Sequence, residues 1–172
     1  MRQLYFGVAA LVFAAIGLGA VTAGAQPPRR GLYRIENVKS GLCLSIEGSS
    51  MEQNARLIQD ACQGTENQEF RVAVEPNGSD IYTLIAGHSS QCLQARGGGI
   101  APMTEIVQSR CTNQDPQKFQ LISEDPDSYL IQSQRSDLCF AVREASLENG
   151  APIVQFPCHG RPNEQFRFVR LP

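Results

Sequence analysis

One set of spacings is written into this chain three times. Tyr33 is followed by Cys43 ten residues on, Gln59 sixteen after that, Cys62 three after that and Phe70 eight after that. The same four intervals recur at Tyr82, Cys92, Gln108, Cys111 and Phe119, and again at Tyr129, Cys139, Gln155, Cys158 and Phe166. Most residues between these markers differ, so the chain keeps the register rather than the composition. Self-similarity at a period of roughly 48 residues marks one supersecondary unit copied until the copies can share a core, because a single unit cannot cover its own apolar face.

Each copy divides into four short runs of β-type residues separated by turn chemistry. The pattern predicts strands at 32–37, 42–46, 56–60 and 69–74 in the first copy, with Leu42, Leu44 and Ile46 on one face. In the second copy it predicts 81–85, 91–95, 105–109 and 118–122, and in the third 129–133, 138–142, 153–156 and 165–169. Pro76-Asn77-Gly78 and Asp125-Pro126-Asp127 are turn clusters between copies. No stretch after residue 25 sustains a helical period. Twelve short strands in three copies imply an all-β, pseudo-threefold barrel. Phe70, Phe119 and Phe166, with the Leu and Ile neighbours of each second cysteine, are the expected core, and Gln59, Gln108 and Gln155 are expected to hydrogen-bond inside it.

The first 25 residues stand apart. Arg2 is the only early charge, Leu4 to Ala20 is apolar and small, and Ala23-Gly24-Ala25 has the form of a cleavage site. This is the pattern of a secretory signal peptide. As a membrane anchor it would fall short of the ~20 residues a span needs, and no basic cluster follows to stop transfer. The expected organisation is a signal peptide at 1–25, an extended lead-in at 26–32, and repeats at 33–80, 81–128 and 129–172. Without Arg2 the 15 basic residues become 14, against 17 acidic ones, a net charge of 14 − 17 = −3. The scattered basic residues argue against nucleic acid as a partner.

All six cysteines lie in the exported part, two per copy, which points to disulfides rather than to a metal site or another cofactor. Six cysteines allow 15 pairings. Threefold symmetry favours pairing within each copy: Cys43–Cys62, Cys92–Cys111 and Cys139–Cys158. Each bridge would close a loop of 18 residues, worth roughly 3 kcal/mol in the chain-entropy model.

The run Cys-Leu-x-x, then Gln-x-x-Cys, then Asn-Gln-x-Phe resembles the ricin B-type lectin repeat, whose hallmark is Q-x-W in each third of a β-trefoil. Here the hallmark positions hold Gln68-Glu69-Phe70, Gln117-Lys118-Phe119 and Glu164-Gln165-Phe166. Phenylalanine replaces tryptophan throughout, and the third copy has lost its glutamine. The resemblance spans residues 33–169. It implies a carbohydrate-binding module for galactose-type sugars, with up to one site per copy. Such a site needs an Asp two residues after the first cysteine and an aromatic platform two residues before the second. An Asn and a Gln ahead of the hallmark aromatic complete it. A pyranose presents many hydroxyls and one C–H face, so directional polar groups around one flat apolar wall suit it.

Carried over position by position, the four places hold Ser45, Asp60, Asn67 and Gln68 in the first copy, which has polar groups but no platform. In the second they hold Gln94, Ser109, Pro116 and Gln117, an expected dead site. In the third they hold Ala141, Phe156, Asn163 and Glu164, with Glu164 or Glu144 as a substitute carboxylate. The third copy is the best candidate and the first comes second. Asn67 and Asn163 have an alternative role in satisfying backbone groups of the adjoining turn. An alternative function is a disulfide-stapled scaffold that engages a protein partner through the loops 47–54, 97–103 and 144–150. Catalysis is the least supported class: His88 and His159 fall in different copies, and the paired cysteines leave no thiol nucleophile.

Overall fold

A computed structural model describes residues 27–76 and 80–172. The expected signal peptide and the Asn77–Gly78 part of the first turn cluster lie outside the described residues. Twelve strands form: β1 (Gly31–Asn37), β2 (Cys43–Ile46), β3 (Leu57–Asp60), β4 (Glu69–Val74), β5 (Ile81–Ala86), β6 (Cys92–Ala95), β7 (Ile106–Ser109), β8 (Phe119–Asp125), β9 (Ser128–Ser133), β10 (Cys139–Val142), β11 (Ile153–Phe156) and β12 (Gln165–Arg170). Each overlaps its expected run and differs from it by a few residues at most. β1 opens at Gly31, inside the stretch read as lead-in, because it pairs there with Val72 of β4. Asp125-Pro126-Asp127 becomes a two-residue hairpin link between β8 and β9, closed by the pair Asp125–Ser128.

The antiparallel ladder closes on itself. β1 pairs with β4, β4 with β5, β5 with β8, β8 with β9, β9 with β12 and β12 with β1. These six strands make a barrel without free edges, the most complete protection a sheet can have. The hairpins β2–β3, β6–β7 and β10–β11 cap one end, each joined to the barrel by a single pair at its first cysteine. Around the pseudo-threefold axis the hairpins touch through Arg56–Val107, Ile58–Pro152 and Glu105–Val154 bridges. This is a β-trefoil.

Period-two alternation places the core. In β1, Tyr33 and Ile35 point inward while Arg34 and Glu36 form an outward ion pair at 2.7 Å. The marker residues meet as equivalents: Tyr33, Tyr82 and Tyr129 are buried, and Phe70, Phe119 and Phe166 are fully so. Phe140 takes the place of Leu44 and Leu93, and stacks edge-on against Phe119 at 5.1 Å. The disulfides pair within each copy, at Cα separations of 5.1, 5.0 and 5.1 Å.

The three marker glutamines do hydrogen-bond in the interior, but they reach between copies. Gln59 donates from Nε2 to the carbonyls of Ser146 and Glu148, at 3.1 and 3.0 Å, and accepts from the Ser40 hydroxyl at 2.8 Å. Gln108 does the same to Ser50, Glu52 and Ser89, and Gln155 to Gly99, Ala101 and Ser136. Each hairpin therefore grips the loop of the next, in a closed cycle. A buried amide with every group satisfied rigidifies its surroundings, and one left half-satisfied is costly.

Candidate binding sites in the three repeats

Each candidate site lies between a capping hairpin and the turn that precedes the copy's last barrel strand. The first residue of the hallmark builds that turn. Gln68 accepts from the Gln63 amide at 2.8 Å and donates to the Ala61 carbonyl at 2.7 Å. Gln117 repeats this clasp with Thr112 and Arg110. Glu164, 1 % exposed, keeps only the accepting half, taking the His159 amide at 2.7 Å. An ionised carboxylate has no donor. Gln165 supplies one from the next position, bonding the Gly160 carbonyl at 2.8 Å. Gln68 and Glu164 are thus engaged first with their own loops.

In the first copy Asn67 donates to the Ser45 hydroxyl at 2.8 Å and to the Ile46 carbonyl at 3.1 Å, and Asp60 accepts from the Ala61 amide at 2.8 Å. Ser45, Asp60, Asn67 and Gln68 come together around a polar concavity of about 190 Å³. In the second copy the polar groups satisfy one another. Gln117 donates to Gln94 at 2.9 Å, Pro116 packs against Gly98, and Arg135 reaches over to donate to the Gly98 carbonyl at 2.9 Å. Ser109, exposed only in part, ends β7 beside them.

The third copy is built differently. A concavity of about 330 Å³ is lined by Phe156, Asn163, Glu164 and Ala141, together with Met103, Arg143, Glu144 and Arg161. That volume reaches the lower bound of small-molecule sites, and the first-copy concavity does not. Phe156 is half-buried and leans on the His159 ring, centroid to centroid 5.8 Å. Asn163 is held by the backbone of Val142, whose amide donates to its carbonyl at 3.0 Å; its side-chain amide reaches the Val142 carbonyl at 3.4 Å. The two asparagines therefore tie the turn to the hairpin strand, a role that coexists with lining the concavity.

Backbone geometry also singles out this copy. Gly48 and Gly97 sit in the left-handed region, at φ 60° and 62°; the equivalent third residue is Glu144, at φ 54°. A side chain in that region costs roughly 1 kcal/mol that glycine avoids. The repeat comparison missed Met103, Arg143 and Arg161 as lining residues. Met103 comes from the second copy's loop and is held there by the hydrogen bond its amide donates to the Gln155 carbonyl at 2.8 Å, so no local pattern announces it.

A model of the ricin-type β-trefoil lectin domain-like family matches residues 22–109, 66–156 and 115–172. No curated protein matches by sequence. Among solved structures, a designed threefold-symmetric protein, ThreeFoil, is 28 % identical, with a TM-score of 0.79 over 82 % of this chain and 99 % of that one. The ricin B-like lectin of Macrolepiota procera, solved with lactose, is 17 % identical with a TM-score of 0.72, over 86 % and 100 %. The C-terminal half of an earthworm R-type lectin, solved with GalNAc, is 17 % identical with a TM-score of 0.63, over 82 % and 99 %. With overlapping matches that take in every repeat, this chain belongs to the ricin-type β-trefoil lectin domain-like family.

Proposed function

We propose that this protein is an exported lectin-like module that binds glycans weakly through the third-repeat concavity, with the first-repeat concavity as a secondary site. The observation that carries this is the union, in one 330 Å³ concavity, of an aromatic wall at Phe156 with the polar edge at Asn163. Lactose and GalNAc, held by the two lectins of the same fold, make galactose-configured sugars the first class to test. Weakness follows from chemistry: no copy keeps the acidic residue after its first cysteine, and charge-assisted hydrogen bonds are the strongest polar contacts such a site makes. Avidity across two sites would offset part of that loss. Three disulfides suit an oxidising compartment, in keeping with the signal-peptide pattern of residues 1–25, and on this reading the module binds rather than catalyses.

A glycan array with the oxidised mature protein, beside Phe156→Ala and Asn163→Ala, tests this reading. Binding should fall in both variants while circular dichroism stays unchanged. Binding indifferent to both substitutions would remove the third repeat from the proposal, and a blank array would end the lectin reading.

One observation favours a protein partner as the second reading. Met51, Ile100 and Leu147 are 60 %, 62 % and 59 % exposed, and they occupy equivalent positions in the three loops 47–54, 97–103 and 144–150. Each is flanked by carbonyls that a marker glutamine holds, at 50 and 52, 99 and 101, and 146 and 148. Exposed apolar side chains on loops whose backbone is held suit docking to a protein. A pull-down in which Met51→Ser, Ile100→Ser and Leu147→Ser together abolish capture would support this reading over the first.

A further inference from the structure

The three copies share one cross-strand pair beside the pseudo-threefold axis, defined by equivalent backbone bonds. The Glu47 amide donates to the Arg56 carbonyl at 3.0 Å, Arg96 to Glu105 at 2.8 Å, and Arg143 to Pro152 at 3.0 Å. In the first copy the pair is a salt bridge, with Arg56 donating to Glu47 at 2.8 and 2.5 Å. In the second it is Arg96 with Glu105 at 2.9 Å. In the third, Pro152 stands where the acid should be, so Arg143 has no cross-strand carboxylate of its own and shares Glu105. Its Nη2 lies 3.6 Å from Glu105, a carboxylate already bonded to Arg96 and 3.8 Å from Arg56. Its buried Nε has no hydrogen-bond partner among the described residues. Three guanidiniums and two carboxylates leave one positive charge over. That surplus arginine lines the third-repeat concavity, and a second arginine, Arg161, lines it too.

Meanwhile the acceptor that the family places after the first cysteine is Ala141, and two guanidinium donors, Arg143 and Arg161, stand in the same lining. Donors in a fixed fork beside an aromatic wall select a ligand with a planar anion on a sugar-like ring. We propose that the third-repeat concavity takes a carboxylated hexose, a uronic acid residue of a glycan, with its carboxylate on Arg143 and Arg161 and its C–H face against Phe156. This rests on the lectin reading and narrows it. Two acids also line the concavity. Glu164 is buried; its Oε2 accepts from the amides of His159 and Arg161, and its Oε1 lies 3.4 Å from His159 Nδ1. Glu144 is exposed, next to Arg143, and opposes an anion. Removing its charge should therefore strengthen binding.

The test is a titration of isotope-labelled, oxidised mature protein with galacturonic acid, glucuronic acid, galactose and N-acetylgalactosamine, following amide shifts around Val142, Phe156 and Asn163 by NMR. The uronic acids should bind at least about tenfold more tightly than the neutral sugars, and less tightly in about 0.5 M salt. Arg143→Gln should weaken uronate binding about 10- to 100-fold, at least about fivefold more than it weakens binding of the neutral sugars. Arg161→Gln, at an exposed position that cannot threaten the fold, should weaken it less. Glu144→Gln should tighten it about two- to threefold. Neutral sugars binding at Phe156 without a uronate preference would overturn this inference and leave the lectin reading standing. Displacement by inorganic sulfate as effective as by uronate would overturn it as well, by reducing the site to a general anion cleft. Shifts with no sugar at all would remove both.

Discussion

The first and third repeats share one set of spacings and one strand pattern but present different surfaces. In the first, Ser45 and Asn67 bond each other and Asp60 bonds the next amide, so the polar groups of a 190 Å³ hollow are largely spoken for. In the third, Ala141 removes one of those partners and Phe156 supplies a wall, and the hollow grows to 330 Å³. The axial pair changes with it: Glu47 and Arg56 neutralise each other, while Arg143 faces Pro152. A pocket can thus be opened by deleting internal bonds, without moving a strand. The backbone skeleton tolerates this because the disulfides and marker glutamines hold both repeats alike.

The largest difference between the two repeats should come from those glutamines. Gln59 holds the 146–148 loop next to the third concavity, whereas Gln108 holds the 50–52 loop of the first. Gln59→Ala and Gln108→Ala should each cost about 2–4 kcal/mol, since two carbonyls and a hydroxyl lose their partner in a buried place; chemical denaturation checks this. Ligand binding at the third concavity should suffer in Gln59→Ala and stay near wild type in Gln108→Ala. Equal losses would mean that the loop position does not govern the site.

A gain of function is the next test. Asp60→Phe gives the first copy the platform it lacks, at a position that ends β3 and is exposed in part. The variant should show binding shifts around Asn67 that the parent lacks, with a stability change within about 1 kcal/mol. The absence of such shifts would assign the difference between the copies to Arg143 rather than to Phe156.

The smallest expected effect is on pH. The hydrogen bond from Arg56 holds the Glu47 carboxyl below the usual carboxylate range, against a weaker opposing effect of burial. A depressed folded-state value means stability present above the ordinary range and lost as pH falls through the folded value. Glu47→Gln should flatten the acid limb of a melting-temperature profile slightly. The pair is solvent-exposed, so the change will be small. The alkaline side runs the other way. Burial raises the Tyr82 and Tyr129 hydroxyls above their usual value, so stability should fall as pH climbs past about 10. Tyr82→Phe with Tyr129→Phe should move that fall upward.

Much of this was legible because a repeat encodes its own register. Cysteines 19 apart in each copy pair where symmetry says they should, and alternation locates the strands because a one-residue slip would turn the core outward. The position of Phe156 as a wall could be read from the resemblance. Arg143 could have been found by aligning the copies, since Pro152 breaks a charge pattern that Arg56 and Glu105 keep. Met103 could not, because it reaches the third concavity from another repeat.

The boundary between the two sources of information is one of range. Local order in the chain is enough to specify twelve strands, three bridges and a shared aromatic core, because each depends on spacing within one copy. Which glutamine grips which loop, and which arginine must share another's acid, depends on neighbours separated by up to about 90 residues and brought together around the pseudo-threefold axis. Charge balance is a sum over space. It became visible only when the three hairpins closed on one another and left Glu105 shared among three guanidiniums.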